Sequence, residues 1–253
     1  MSEALLEVEG LVRRFGGVTA IDHVSFRLER GGALGLIGPN GSGKTTLANL
    51  LTGFVRPDEG SVRFKGRSIA GWRPDRIVDL GLARSFQLVR PFYELPAYKN
   101  LIVPLRSPRA RRLRGSGYGD ADEMALQLLE DVGFERDSPI PRTPARNLPH
   151  GYLKRLELAR CLALRPDLII LDELFSGMSL TEVAGMLPHV RRLREEGVTI
   201  IMIEHRIQEL LSIVDEVLVL NFGAVIASGD PQVAMADEEV RRAYLGAEVD
   251  QDA

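Results

Sequence analysis

The sequence predicts an α/β fold with a sheet core and a smaller helical lobe, on three observations. The glycine-rich stretch Gly38-Pro39-Asn40-Gly41-Ser42-Gly43-Lys44-Thr45 stands between an apolar run at 33–37 and a helix-like segment at 46–51, the strand, turn and helix order of α/β units. A second apolar run, 167–173, ends on Asp172-Glu173, as a buried parallel strand with carboxylates at its C-terminal end would. From Leu88 to about Leu164 the rhythm changes to helices and loops.

Composition sets the outer limits. The 253 residues, 45% hydrophobic and 26% charged, suffice for one large domain with a substantial interior. A net charge of −3 argues against a surface built chiefly for nucleic acid. Cys161 is the one cysteine, which excludes an internal disulfide framework and fits a reducing compartment. Its helical, apolar neighbourhood points to a small core residue and not a nucleophile. No apolar run approaches a membrane span, and Met1-Ser2-Glu3 lacks the basic start of a signal peptide, so any membrane role is expected to be peripheral.

Taken in order, residues 5–8 and 21–28 alternate as strands, with Val24, Phe26 and Leu28 on one face. Phe15, between them, fits either a stack on an adenine ring or a packed core phenylalanine, and spacing leaves both open. After the glycine-rich turn and its helix, 53–60 reads as helix stop and turn, and 61–65 as a strand ending at Gly66. Pro74 opens a short helix over 75–80 that Gly81 ends, and 82–87 reads as a strand closing on Gln87. The arginine- and glycine-rich stretch 106–119 is expected to be an exposed, mobile insertion. Residues 120–132 make an amphipathic helix with acidic residues at its start.

A long helix is expected from near Gly151 to before Pro166, burying Leu153, Leu156, Leu158, Ala159 and Leu162. Beyond the 167–173 strand come a helix at 180–196, a strand at 198–203, Glu204-His205, a helix at 207–213, strands at 216–220 and 224–227, and an acidic helical tail. No repeat is visible, which indicates one unit and not a tandem pair.

The chemistry starts at the glycine-rich turn. Glycines allow backbone angles that turn successive N–H groups inward around phosphate oxygens, and the following helix adds its positive end. Lys44 is placed to reach the β- and γ-phosphates and Thr45 to ligate Mg²⁺. Asp172 suits a second magnesium contact, Glu173 the polarisation of an attacking water, and His205, also at a strand end, a bond to the γ-phosphate.

The order of this loop, Gln87, a signature-like Leu148-Pro149-His150-Gly151-Tyr152, the 168–173 strand and His205 resembles the nucleotide-binding subunit of ABC transporters along nearly the whole chain. More narrowly, Arg84-Ser85-Phe86-Gln87 with Val89-Arg90-Pro91-Phe92, the insertion, Lys154-Arg155-Leu156-Glu157-Leu158-Ala159-Arg160 and the ending Ala243-Tyr244-Leu245-Gly246 are similar to ATP-binding proteins of branched-chain and hydrophobic amino-acid uptake systems.

The resemblance implies a RecA-like core with a mixed sheet and an antiparallel β part (1–87 and 165–253), and a helical subdomain at 88–164 carrying the insertion at 105–119. It implies ATP and Mg²⁺ as ligands. Gly38, Pro39, Asn40, Gly41, Ser42, Gly43, Lys44, Thr45 and Thr46 would hold the nucleotide, with Phe15 on adenine. Thr45, Gln87 and Asp172 would serve the metal, Glu173 would be the catalytic base and His205 the switch. The implied partners are membrane permease subunits, a second cassette whose nucleotide meets Gly151, and, indirectly, a periplasmic or extracellular substrate-binding protein, with no nucleic acid. The implied location is the cytoplasmic face of the membrane. Two other readings remain open: a nucleotide-gated subunit with low hydrolysis, or the ATPase of another ABC system such as a urea or amide importer or a lipid exporter.

The sequence departs from the family pattern in the signature, where Pro149 replaces serine and Tyr152 glutamine, and after Glu173, where Leu174 replaces proline. Proline offers neither hydroxyl nor N–H, so one direct γ-phosphate contact is expected to be lost; either the site using this signature turns over slowly, or water and backbone N–H groups replace the contact and the change is harmless.

Overall fold

The computed structural model describes residues 4–87, 89–114 and 120–249. The backbone gathers into two compact units, one formed by 1–77 with 199–253 and the other by 78–198. The stretch 88–164 therefore shares its unit with 78–87 and 165–198.

The first unit opens with the antiparallel strands β1 (Ala4–Phe15) and β2 (Val18–Glu29), in register through Leu6 with Leu28, Val8 with Phe26 and Leu11 with Val24. Both are longer than the alternation suggested. They run on to a Gly16-Gly17 turn, Gly16 taking a positive φ of 57°, while an irregular register near Gly10 breaks the period that would have shown the strand in the sequence. Arg13 and Arg14 are held there by Asp58 and Glu59 at 2.7 and 2.8 Å.

Strand β3 (Ala33–Ile37) is buried at every position and leads to helix α1 (Lys44–Leu51). Strands β4 (Glu59–Phe64) and β5 (Arg67–Ser68) extend the antiparallel sheet in the order β2-β1-β4-β5, and α2 (Pro74–Leu80) follows.

In the second unit, β6 (Leu82–Arg84) lies parallel to a later strand, β7 (Leu168–Asp172). Between them come the short helices α3 (Ile102–Leu105) and α4 (Pro108–Arg114), then α5 (Ala121–Asp131), whose N-cap Asp120 accepts from the Asp122 amide at 2.9 Å, and α6 (His150–Leu162). After β7, α7 (Leu180–Glu195) opens on a capping box of Ser179 and Glu182.

Two expectations need correction here. The start of the insertion is not a mobile loop, because 108–114 is helical and Arg109 is buried. Its guanidinium donates to the carbonyls of Asp79, Leu80, Leu164 and Arg165 and to the Asp167 carboxylate at 2.5 Å, collecting chain ends that would otherwise be unsatisfied. Residues 115–119 of that stretch lie outside the described residues. On α6, Leu153 and Leu162 are only half-buried, whereas Lys154 and Glu157 are buried. Leu156, Leu158 and Ala159 are fully buried as the hydrophobic period predicts; the period misses Lys154 and Glu157, whose polar ends have partners inside the unit.

The chain then returns to the first unit with β8 (Thr199–Ile203), α8 (Ile207–Leu211), β9 (Glu216–Asn221), β10 (Ala224–Gly229), α9 (Pro231–Ala236) and α10 (Glu238–Val249). There β3 pairs in parallel with both β8 and β9, and β10 runs antiparallel on β9, a mixed sheet. Gly35 lies so close beneath Leu210 and Val214 that a Cβ would come within 2.6 Å of the Leu210 side chain. Glycine is what lets the segment bearing α8 settle on β3 and fix the C-terminal end of the strand, from which the glycine-rich loop springs.

Candidate functional site

Within the first unit, the loop between β3 and α1 is shaped by two close approaches. Gly38 has φ +148°, and a Cβ there would lie 2.1 Å from the Leu220 carbonyl oxygen; Gly43 has φ +108°, and a Cβ would lie 2.6 Å from the Ala20 carbonyl oxygen. The loop is tied to the β9–β10 turn by the Gly223 amide, which donates to the Ser42 carbonyl at 3.0 Å. Gly41, at φ +77°, would meet nothing within 4 Å.

Lys44 Nζ donates to the carbonyls of Gly38 and Pro39 at 2.7 and 2.9 Å, arching back over the loop. Ser42 Oγ is buried without a hydrogen-bond partner among the described residues. An ammonium parked on two carbonyls and an orphan hydroxyl at the start of an eight-residue helix suit a phosphate group. Thr45 is exposed and Thr46 half-buried on the first turn of α1. We expect Gly38→Ala to push the loop off Leu220, weaken ADP binding more than a hundredfold and cost about 3 kcal/mol of stability; calorimetric ADP titration and urea unfolding check both.

The other residues of this unit are more scattered. Phe15 is 45% exposed, with the Arg13 guanidinium 4.5 Å from its ring centroid, so it is not a packed core residue. His205 is exposed just past β8, after the buried Glu204. Burial raises the Tyr244 phenol, opposed by a hydrogen bond with the Gly38 backbone, which brings α10 to the glycine-rich loop. Pattern reading of the acidic tail gave no sign of that contact.

Within the second unit, the ends of β6 and β7 bring Arg84, Ser85, Gln87, Asp172 and Glu173 together. Asp172 is buried; its carboxylate takes a hydrogen bond from Arg84 at 2.6 Å, and its amide donates to Ser85 Oγ at 3.1 Å. Glu173 stands in the left-handed region at φ +50°, a conformation rare for a residue with a long side chain. Gln87 Nε2 donates to Glu173 Oε2 at 2.7 Å, and Lys154 Nζ donates to the backbone carbonyls of Gln87 and Glu173 at 3.0 and 2.9 Å. The structure thus joins Gln87 to Glu173, a contact that a separation of 86 positions hides in the sequence. Arg84 and Lys154 escaped the residue-by-residue reading because an arginine before a strand end and a lysine on a helix carry no local signal.

Gly151 is buried in the first turn of α6; a Cβ on it would lie 2.3 Å from Glu182 Oε1. Pro149 caps the helix without a side-chain hydrogen bond. Tyr152 donates to Glu135 at 2.7 Å and its ring meets Phe134 edge-on, with centroids 4.9 Å apart. Burial and this bond raise the phenol, and the same bond holds the Glu135 carboxyl low. Cys161 is buried in α6, and burial pushes its thiol well above the ordinary range, the state of an inert core residue.

Among the described residues no helix is long and apolar enough to cross a membrane. Residues 21–176 match the ABC transporter family, and residues 224–250 match the branched-chain amino acid ATP-binding cassette transporter family. The chain is 36% identical to the high-affinity branched-chain amino acid transport ATP-binding protein BraF of Pseudomonas aeruginosa, over 97% of this chain and 99% of the relative. It is 35% identical to the corresponding protein LivG of Escherichia coli over the same shares. A crystal structure of the ADP conformation of an ATP-binding cassette of an ABC transporter matches with a TM-score of 0.82 at 30% identity, covering 97% of this chain and 100% of that one. A nucleotide-free ATP-binding cassette from an ABC transporter matches with a TM-score of 0.83 at 30% identity, covering 96% and 99%. With the glycine-rich loop, the buried carboxylate and a family match across more than half its length, the chain belongs to the ABC transporter family as an ATP-binding subunit.

Proposed function

We propose that this chain hydrolyses ATP to power a membrane importer of branched-chain or other hydrophobic amino acids. The observation that carries the reading is the full-length likeness to BraF and LivG, reinforced by the separate match of the C-terminal segment.

Lys44, the loop amides and Ser42 bind and orient the phosphates, and exposed Phe15 offers a face to the adenine. Thr45, Gln87 and Asp172 are the oxygen donors that would hold magnesium, which neutralises phosphate charge when bound. Among the described residues no three His, Cys, Asp or Glu side chains gather into a metal cage, so these few donors suit an ion that shares its shell with nucleotide phosphates and water. Glu173, oriented by Gln87, accepts the proton of the attacking water. His205 donates to the γ-phosphate, and the N-terminus of α6 at Gly151 faces the nucleotide of a second cassette. Membrane permease subunits convert dimer closure and reopening into transport, with the chain on the cytoplasmic face.

Tyr152 is engaged by Glu135 and Pro149 brings no hydroxyl, which favours a slow site wherever this signature helix meets the partner's nucleotide. Purification of the tagged chain from membranes in mild detergent tests the main reading. We expect two permease subunits and a second cassette to co-purify, with phosphate release from ATP by the complex. Recovery without any membrane partner would remove the transport reading.

A further inference from the structure

Arg84 is a buried charge in direct contact with the carboxylate of Asp172. It sits on β6 opposite Ile170 of β7, one strand away from Asp172. Its Nη2 donates to Asp172 Oδ2 at 2.6 Å, and both side chains are only 5% exposed. The neighbouring residue fixes the same carboxylate from the backbone side: the Ser85 amide donates to the Ile170 carbonyl at 2.9 Å, and Ser85 Oγ accepts from the Asp172 amide at 3.1 Å. The Phe86 ring lies 5.3 Å from the guanidinium carbon. Among the described residues no hydrogen bond takes Asp172 Oδ1.

Burying a carboxylate is costly unless a charge and hydrogen bonds accompany it. Guanidinium suits this task, because it stays charged and its rigid fork holds the partner in one orientation. The strand pairing therefore presents Asp172 with one oxygen anchored and the other available, and the pair carries no net charge. Such a group adds direction to a metal site but little attraction for a bare cation, which must arrive with the nucleotide's own negative charge.

We propose that Arg84 is the positioning residue that makes nucleotide binding magnesium-dependent in this chain: it anchors Asp172 through Oδ2 and leaves Oδ1 directed for the ion. This rests on the reading of Asp172 as the carboxylate that holds magnesium.

The test titrates ADP into the full chain by calorimetry, in magnesium and in EDTA, for wild type, Arg84→Gln, Arg84→Lys and Asp172→Asn. Substituting groups that orient a metal's ligands typically costs ten- to a hundredfold in metal affinity. Arg84→Gln is expected to lose about tenfold of the magnesium-supported affinity while its affinity in EDTA stays within about twofold of wild type. Arg84→Lys keeps the charge but not the fork, so it is expected to lose about threefold; if the glutamine variant does not fold, this variant carries the test. An unchanged magnesium dependence in both Arg84 variants, or equal losses with and without the ion, overturns the proposal. If Asp172→Asn keeps the wild-type magnesium dependence, the assignment of Asp172 itself is wrong and the role of Arg84 falls with it. Magnesium dependence lost in Asp172→Asn but kept in Arg84→Gln overturns the role of Arg84 alone.

Discussion

Glu173→Gln lowers the turnover of the assembled complex about a thousandfold and leaves ADP affinity within about twofold, as expected when a general base is removed and the phosphate cradle is not touched. The substitution keeps the size of the side chain and its ability to accept from Gln87, whose Nε2 now reaches Oε2 at 2.7 Å. It removes the capacity to take a proton. The left-handed backbone at Glu173, φ +50°, is paid for whether the side chain is carboxylate or amide, so the fold should tolerate the exchange. Phosphate release by the purified complex and ADP titration of the isolated chain check the two halves separately. Turnover above about a tenth of wild type would place the base elsewhere.

The parts of this site that were legible in the sequence are those whose context is local. The glycine-rich loop carries its strand and helix with it, and Asp172-Glu173 follow four buried apolar positions of one strand. What the sequence withheld depends on partners distant in the chain. Gln87 and Glu173 meet because β6 and β7 are neighbours, and a glutamine at a strand end gives no hint of it. Arg109 looks like any other arginine of a charged run, yet it gathers four carbonyls and a carboxylate. The β1–β2 hairpin was underestimated because the irregular register around Gly10 interrupts the two-residue period. On α6 the 3.6-residue pattern assigned burial to Leu153, whereas the buried neighbour is Lys154; hydrophobic period cannot anticipate a polar group that finds its partners inside.

Lys154→Met should therefore be the more informative substitution, because it joins stability to chemistry. The lysine is 2% exposed, and its ammonium donates to the carbonyls of both Gln87 and Glu173. It thus clamps the end of β7 and the segment after β6 onto α6, the helix that begins at His150. Methionine fills similar space but donates nothing, leaving carbonyls short of a partner and the unusual Glu173 backbone without its brace. Glu157, one turn along α6, is already raised by burial, and Lys154 is among the charges opposing that rise; losing the ammonium makes its ionised form still less favourable. A loss of about 2 kcal/mol in urea unfolding is expected. Because the base would no longer be held in place, turnover of the complex should fall about a hundredfold with ADP affinity nearly unchanged. Lys154→Arg retains donors and should recover part of both losses. Were the methionine variant to lose stability and yet keep full turnover, Lys154 would be a packing residue only, and the positioning of Glu173 would rest on Gln87 and the strand end.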